Sequence, residues 1–278
     1  MSVTAFSALV FSGALAAGML GALTGLGGGI VIVPMLTLLF HVDIRYAMGA
    51  SLVSVIATSS GAAAAFVREG FANIRLGMFL EIATTLGALA GATLTGVVSP
   101  HVISIIFGCV LLYSAYRSAR PPQEHVTAEH PDPIAVRLRL NGTEPTPHGP
   151  RPYAVQHVPL GFVLMVGAGV LSGLLGIGSG VVKVLAMDQA MGLPFKVSTT
   201  TSNFMIGVTA AASAGVYMHN GYIDPMVSLP VMIGVLCGAL FGARILAGAP
   251  VRILRTLFAV LIVVLAIEML VKGVRGVA

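Results

Sequence analysis

Charge is the scarcest commodity in this chain: Asp, Glu, Lys and Arg together make up 9% of its 278 residues. A soluble protein of this size carries roughly a quarter, so a free-standing soluble enzyme or binding domain is excluded. No basic stripe accompanies a soluble domain, which removes nucleic acid from the expected partners. Cysteine occurs twice, as Cys109 and Cys237, each inside an apolar run where the thiol behaves as a small hydrophobe. A disulfide framework or a thiolate metal site is not expected. His41, His101, His157 and His219 fall at the ends of apolar runs, which suits interfaces better than a metal centre. No Ser-His-Asp, HExxH or phosphate-binding-loop pattern is present, so the chain reads as a non-enzyme with no metal and no cofactor. Alternating ten-residue strands are also missing, and with them the outer-membrane barrel.

What is there is hydrophobic, at 56% of residues. Apolar segments fall at about 3–24, 30–40, 46–67, 76–98, 101–116, 158–177, 181–191, 198–218, 225–247 and 251–271. Most are long enough to cross a hydrocarbon core ~30 Å thick. The fold expected is an all-α, multi-pass protein of the plasma membrane with the bilayer as its first partner. No Lys or Arg precedes Arg45, so residues 3–24 read as a retained span rather than a cleaved leader. Two segments, 30–40 and 181–191, are too short to span at ~1.5 Å per residue. Each follows a glycine cluster, "GLGGG" (25–29) or "GIGSG" (176–180), and each reads as a broken or re-entrant half-helix.

Between Arg117 and His157 the composition changes to a polar stretch with eight prolines, expected to be a poorly structured linker. Arg117, Arg120, Arg137, Arg139 and Arg151 assign it to the cytoplasm by the positive-inside rule, where the sequon at Asn141 has no use. The expected organisation is therefore residues 1–117 as one transmembrane repeat, 118–156 as the cytoplasmic linker and 157–278 as a second repeat. A shift of 151 residues aligns the two without a gap from Leu23 to Leu94. Gly25, Gly27 and Gly29 fall on Gly176, Gly178 and Gly180, Ser51 on Ser202, Thr58 on Thr209, and "GALAGA" (87–92) on "GALFGA" (238–243). About four spans per repeat are expected. Duplicated halves with interrupted helices at matching positions are the pattern of secondary transporters, whose breaks mark the substrate site. Arg68 and Arg75 have no basic counterpart at 219–226, which favours inverted repeats, whereas Lys272 and Arg275 argue the other way.

An unwound stretch survives in a bilayer only when packed in protein or lining a polar cavity. The helix that restarts beyond it directs its first amides at the gap with partial positive charge. Gly27, Gly28, Gly29, Gly178, Ser179 and Gly180 are thus candidate anion-binding positions. For "GALAGA" and "GALFGA" close helix packing is the better reading. Lys183 opens the second half-helix, where an ammonium opposes the helix dipole and insertion adds ~2.5–3.5 kcal/mol. It needs an anion, and its repeat counterpart is Ile32. Two structural readings compete with substrate binding there: snorkelling, and an ion pair with Asp188 at the poor spacing of five residues. Ser198 to Asn203 are six polar residues in a row, so some cap and pack while others reach the site. Thr200, Thr201, Ser202, Asn203 and the matching Ser51 complete the candidate list. Glu81 reads either as an interfacial acid or as a proton carrier, and Glu268 and Arg244 as solvated span ends.

"GLGGGIVIVPML" (25–36), "GIGSGVVKVLAM" (176–187) and "STTTSNFMIGVTAAASAGVY" (198–217) resemble the sulfite exporter TauE/SafE family. The likeness covers nearly the whole chain outside the linker. It implies a membrane carrier for small sulfur oxyanions or organosulfonates of the sulfite and sulfoacetate class, working by alternating access. Ser179 stands where a third glycine is usual, and Leu185 where a proline often follows. An anion channel, an importer of sulfate or thiosulfate, and a structural membrane protein are the rival readings. The polar residues cluster at one depth, which favours a carrier over a continuous pore. A second copy of the chain, as a homodimer, completes the partners considered.

Overall fold

The computed structural model describes residues 3–24, 28–68, 71–119, 132–146, 149–245 and 251–276. Helix α1 (Val3–Thr24) is followed by α2 (Gly29–Pro34), which widens into a π-helical turn, Met35–Leu39. Then come α3 (Ile44–Arg68), α4 (Ile74–Leu94) and α5 (Pro100–Ala119). A short helix α6 (Pro133–Arg137) and a hairpin, β1 (Gly142–Thr146) with β2 (Gly149–Tyr153), precede the second set. That set is α7 (Val158–Leu175), α8 (Gly180–Leu185) with its π turn Ala186–Ala190, α9 (Phe195–His219), α10 (Pro225–Ile245) and α11 (Val251–Arg275). The later members start 151 residues after the earlier ones: 29 and 180, 44 and 195, 74 and 225, 100 and 251. Both short segments are followed by a π turn at the same place, so the length of each half-helix is a matched feature.

Each broken helix is a hairpin whose two arms open to the same end of the molecule. Phe6 of α1 meets the ring of Phe40 beyond the first π turn, with centroids 5.9 Å apart. The Gln156 amide, just before α7, donates to the Met191 carbonyl beyond the second π turn at 3.0 Å. The two hairpins enter from opposite ends. Helices α3 and α9 cross antiparallel between them, with Met48 beside Tyr217 and Ser59 beside Gly207. Helix α4 packs along α7, and α10 along α1, so each hairpin is clasped by a helix from the other half of the chain.

Burial follows this arrangement. Helices α3 and α9 hold Ser51, Ser54, Ser198, Thr201, Thr209 and Ser213 at 0% exposure. Met78, Ile82 and Leu86 on α4, Leu160 and Val163 on α7, and Leu229 and Phe241 on α10 are exposed. An apolar exterior around a polar-seeded interior is what a lipid solvent selects. By length and composition, two helices among the described residues, α4 and α7, are apolar enough to cross a membrane. The sequence expectation counted α3 and α9 as apolar spans too. Their Ser, Thr and Gly lower the hydropathy, and the surrounding helices shield them from lipid.

The linker expectation is corrected over 132–146 and 149–157. Asp132 caps α6 through the Ile134 amide (2.8 Å) and also accepts from the Val158 amide of α7 (2.9 Å). Ala135, Leu140 and Val155 are at most 1% exposed and join Leu76, Leu80, Met187 and Val197 in one apolar cluster. Composition suggested disorder because eight prolines and few hydrophobes were averaged over the whole stretch. Among the described residues Pro133 starts α6 and Pro145, Pro150 and Pro152 lie in a two-stranded ribbon, and Ala135, Leu140 and Val155 turn inward while Ile134, Val136 and Leu138 stay exposed. Residues 120–131 and 147–148 lie outside the described residues.

Candidate functional site

The second break is built from left-handed backbone. Gly176 and Gly178 have φ of 66° and 70°, and Ser179, between them and α8, has 41°. A side chain in that region is strained, and serine is tolerated because its hydroxyl is tied down: Oγ donates to the Ala168 carbonyl of α7 at 2.6 Å. The Ser179 carbonyl accepts from the Val182 and Lys183 amides, both at 3.1 Å. At the first break α1 ends at Thr24 and α2 begins at Gly29, with the Gly28 carbonyl accepting from the Val31 and Ile32 amides. Gly25 and Gly27 lie outside the described residues.

The two breaks adjoin one another. A Cβ added to Gly29 would lie 2.7 Å from Ser51 Oγ and 3.4 Å from the Ile177 Cα. Ser51 Oγ is buried without a hydrogen-bond partner. Its counterpart Ser202 donates to the Gly180 carbonyl at 3.3 Å. Six of the sequence-derived candidates, Gly28, Gly29, Ser51, Ser179, Gly180 and Ser202, therefore gather around the junction, with Gly178 between Val55 and Ile206.

The other polar residues of α9 disperse. Thr199 and Thr200 return their hydroxyls to the Phe195 and Lys196 carbonyls of their own helix. Thr201 Oγ1 accepts from the Asn73 amide at 3.0 Å, where the chain enters α4. Asn73 also donates to the Leu140 carbonyl (2.7 Å) and to Tyr153 Oη (2.9 Å), fastening the linker hairpin to the α3–α4 corner. Burial raises the Tyr153 pKa above the usual phenol value, against the pull of the Asn73 bond, so the phenol stays neutral. Ser198 is fully buried, and Asn203 is 8% exposed.

Lys183 is 0% exposed, and its ammonium donates to Thr209 Oγ1 of α9 at 2.5 Å. Thr209 in turn donates to Glu81 Oε1 of α4 at 2.7 Å. Thr84 donates to Glu81 Oε2 at 3.0 Å, and Thr85 to Oε1 at 3.1 Å. Glu81 is 8% exposed, so the acid reads as an interior group rather than an interfacial one. Asp188, the partner weighed from sequence, is also buried, in the second π turn. Sequence reasoning had noted Glu81 and Thr209 separately without joining them. The usable signal was that a bilayer protein with few charges pairs its intramembrane acids and bases with each other. A separate cleft of about 420 Å³, whose lining includes His41, Asp43, Ser104 and Lys272 beside Leu38, Val42 and Ile44, contains none of these residues. No group of three or more metal-ligating side chains occurs among the described residues.

A model of the family described as "Sulfite exporter TauE/SafE" matches residues 10–269. The chain is 27% identical over 268 residues to a probable membrane transporter protein, YunE, of Bacillus subtilis, covering 94% of this chain and 96% of that one. It is 26% identical over 279 residues to a probable membrane transporter protein of Haemophilus influenzae, covering 92% and 95%. It is 23% identical over 265 residues to the probable membrane transporter protein ORF9 of a Sinorhizobium species, covering 95% and 92%. No solved structure matches. A broken-helix fold with a buried polar junction fits this company, and the chain belongs to the sulfite exporter TauE/SafE family of membrane transporters.

Proposed function

We propose that the protein carries small sulfur oxyanions or organosulfonates of the sulfite and sulfoacetate class outward across the plasma membrane. The mechanism is alternating access about two inverted repeats. The observation that carries this reading is the Lys183 ammonium, wholly buried one turn beyond a helix break and bonded to the Thr209 hydroxyl. An ammonium in that setting is stable only with a negative charge close by. Glu81, reached through Thr209, supplies that charge at rest, and an arriving oxyanion can take over the role, with Ser51, Ser202, Ser179 and the backbone of Gly28, Gly29, Gly178 and Gly180 as its proposed surroundings. Gly27 belongs to the same proposed set by its position, whereas Thr200 and Thr201 are engaged elsewhere, with the Lys196 carbonyl and the Asn73 amide, and Asn203 follows Ser202 on α9. Opposed hairpins, antiparallel α3 and α9 and the matched π turns support the inverted-repeat reading. Because Lys183 has no solvent exposure, access from either side requires a hairpin to move against α3 and α9.

The test is equilibrium binding of sulfite, sulfoacetate, sulfate, thiosulfate and taurine to the purified protein. Sulfite and sulfoacetate are expected to bind, and taurine far more weakly, because its ammonium meets Lys183. Binding of none of the anions, or equal binding of taurine, would refute the substrate class.

The linker is proposed to face the cytoplasm, with its five arginines as the warrant. With Cys109 and Cys237 replaced, a cysteine at Thr143 or Arg151, both exposed on the hairpin, should react with an impermeant maleimide only in opened cells. Equal labelling of intact cells reverses the orientation.

A further inference from the structure

Glu81 and Lys183 sit on different halves of the chain and communicate through one atom. Thr209 Oγ1 receives a hydrogen from Lys183 and gives its own to Glu81 Oε1. A hydroxyl has one hydrogen to give, so this order fixes the direction of the chain of bonds. Among the described residues three hydroxyls, those of Thr84, Thr85 and Thr209, reach the Glu81 carboxyl oxygens. The pair, drawn from both halves, has no repeat-related counterpart: a shift of 151 residues takes Lys183 to Ile32 and Glu81 to Met232, while Thr209 maps to Thr58. The hydroxyl is therefore repeated in both halves, whereas the charge pair across it is not.

We infer that Glu81 is the proton-binding site of a proton-coupled anion carrier, with Thr209 as the hydroxyl that links it to the anion-binding lysine. This rests on the reading of Lys183 given above. Two states of the site are electrically neutral. In one, the Glu81 carboxylate balances the Lys183 ammonium and no anion is bound. In the other, Glu81 is protonated and a monovalent anion balances the ammonium. The mixed states leave a net charge in the membrane interior, at a cost that opposes reorientation. In the coupled step one proton from water adds to a Glu81 oxygen and forms the only new covalent bond. Lys183 keeps its three hydrogens. The Thr209 hydroxyl turns to the Met205 carbonyl, already 3.1 Å away on its own helix, and the ammonium is released to the anion. One proton then accompanies each monovalent anion, and the cycle is electroneutral. Outward flux is driven by accumulated anion, and the membrane potential does not act on it.

The other charged groups around Glu81 are few. Helix α7, packed along α4, carries no Asp, Glu, Lys, Arg or His between Val158 and Leu175. On α9, Lys196 lies exposed over the Phe71 ring and His219 is at the far end. Arg75, on α4 itself, is exposed and bonds the Arg139 carbonyl. Among the described residues Asp188 is the other buried acid, beyond Lys183 on the second π turn.

The test uses methanesulfonate, a monovalent anion that does not titrate between about pH 5 and about pH 8. For the intact protein, affinity should fall about tenfold per pH unit on the alkaline side, the slope for uptake of one proton. E81Q should give a flat profile and lose proton co-flux in proteoliposomes, while Asp188→Asn keeps the parental slope. A flat parental profile, a slope that survives in E81Q, or one abolished by Asp188→Asn overturns the assignment. Failure of the underlying reading looks different: Lys183→Met would then bind anion as the parent does. A ligand-free measurement closes the remaining gap. In Lys183→Met at neutral pH, infrared spectra should gain the stretch of a buried protonated carboxyl, and the added E81Q change should remove it. Absence of that band shows that Glu81 does not sense Lys183, and overturns the coupling.

Discussion

Lys183→Met is expected to weaken binding of sulfite and sulfoacetate about ten- to hundredfold. The change removes one charge-assisted hydrogen bond to the anion, worth ~1.5–3 kcal/mol, and methionine keeps most of the stem's volume. The stability cost should be smaller than for most broken buried pairs. Those lose ~3–5 kcal/mol when the remaining partner keeps its charge, but Glu81 can take a proton and go neutral where it is. Its Thr84 and Thr85 bonds at 3.0 and 3.1 Å remain to hold it. Melting temperature and anion affinity measured on the same preparations separate the two roles. A large loss of affinity with a modest loss of stability fits a binding lysine. The reverse result, unchanged affinity and severe destabilisation, makes Lys183 a structural group held by Thr209 and Glu81. Glu81→Gln combined with Lys183→Met should recover stability relative to Lys183→Met alone, because no carboxyl is then left to desolvate.

Much of this site could be read from the residues, because a bilayer makes exceptions visible. Glycine clusters interrupt apolar runs at 25–29 and 176–180, and an unpaired amide in lipid is costly enough that such interruptions signal a break. The half-helices fall where their short lengths indicated, at Gly29–Leu39 and Gly180–Ala190 when each π turn is counted. The partner of Lys183 was not legible in the same way. Local spacing offered Asp188 on the same segment, whereas the carboxylate reached through Thr209 comes from α4, 102 positions earlier in the chain (81 against 183). Periodicity reports on a helix's own faces and says nothing about which distant helix lies opposite. The run 198–203 shows the same limit. Six polar residues looked like one lining, yet Thr200 bonds its own helix, Thr201 holds the Asn73 corner and Ser202 meets the break. Consecutive helical residues point in different directions, so a polar run in sequence becomes several separate contacts in space. The linker misled for a converse reason: the anchoring contacts of Asn73 and Asp132 come from single residues that composition cannot weigh.

Gly173→Val should be among the most damaging single substitutions in the protein, because it separates the helix that carries Glu81 from the hairpin that carries Lys183. A Cβ at Gly173 would lie 2.0 Å from the Ala88 carbonyl oxygen and 2.7 Å from the Ala92 amide nitrogen, both backbone atoms of α4. Nothing there is the movable end of a side chain, so α7 must back away from α4 along its length. Overpacking of a tight core costs ~1–3 kcal/mol, occasionally more. This site belongs at the upper end, since Gly91 meets the Val170 carbonyl just as closely from the other side. Separation by even an ångström would carry Glu81 out of the 2.7 Å contact with Thr209. The expected result is a sharply lower melting temperature in detergent, together with loss of anion transport at temperatures where the variant is still folded. Gly167→Ala on the same helix is the comparison: nothing lies within 4 Å of a Cβ there, and the change should leave stability the same or raise it by ~0.4–1 kcal/mol. If Gly173→Val melts with the parent and transports normally, α4 and α7 do not cross at backbone contact. The route from the Gly91 and Gly173 contacts to the Glu81–Thr209–Lys183 chain then fails with it.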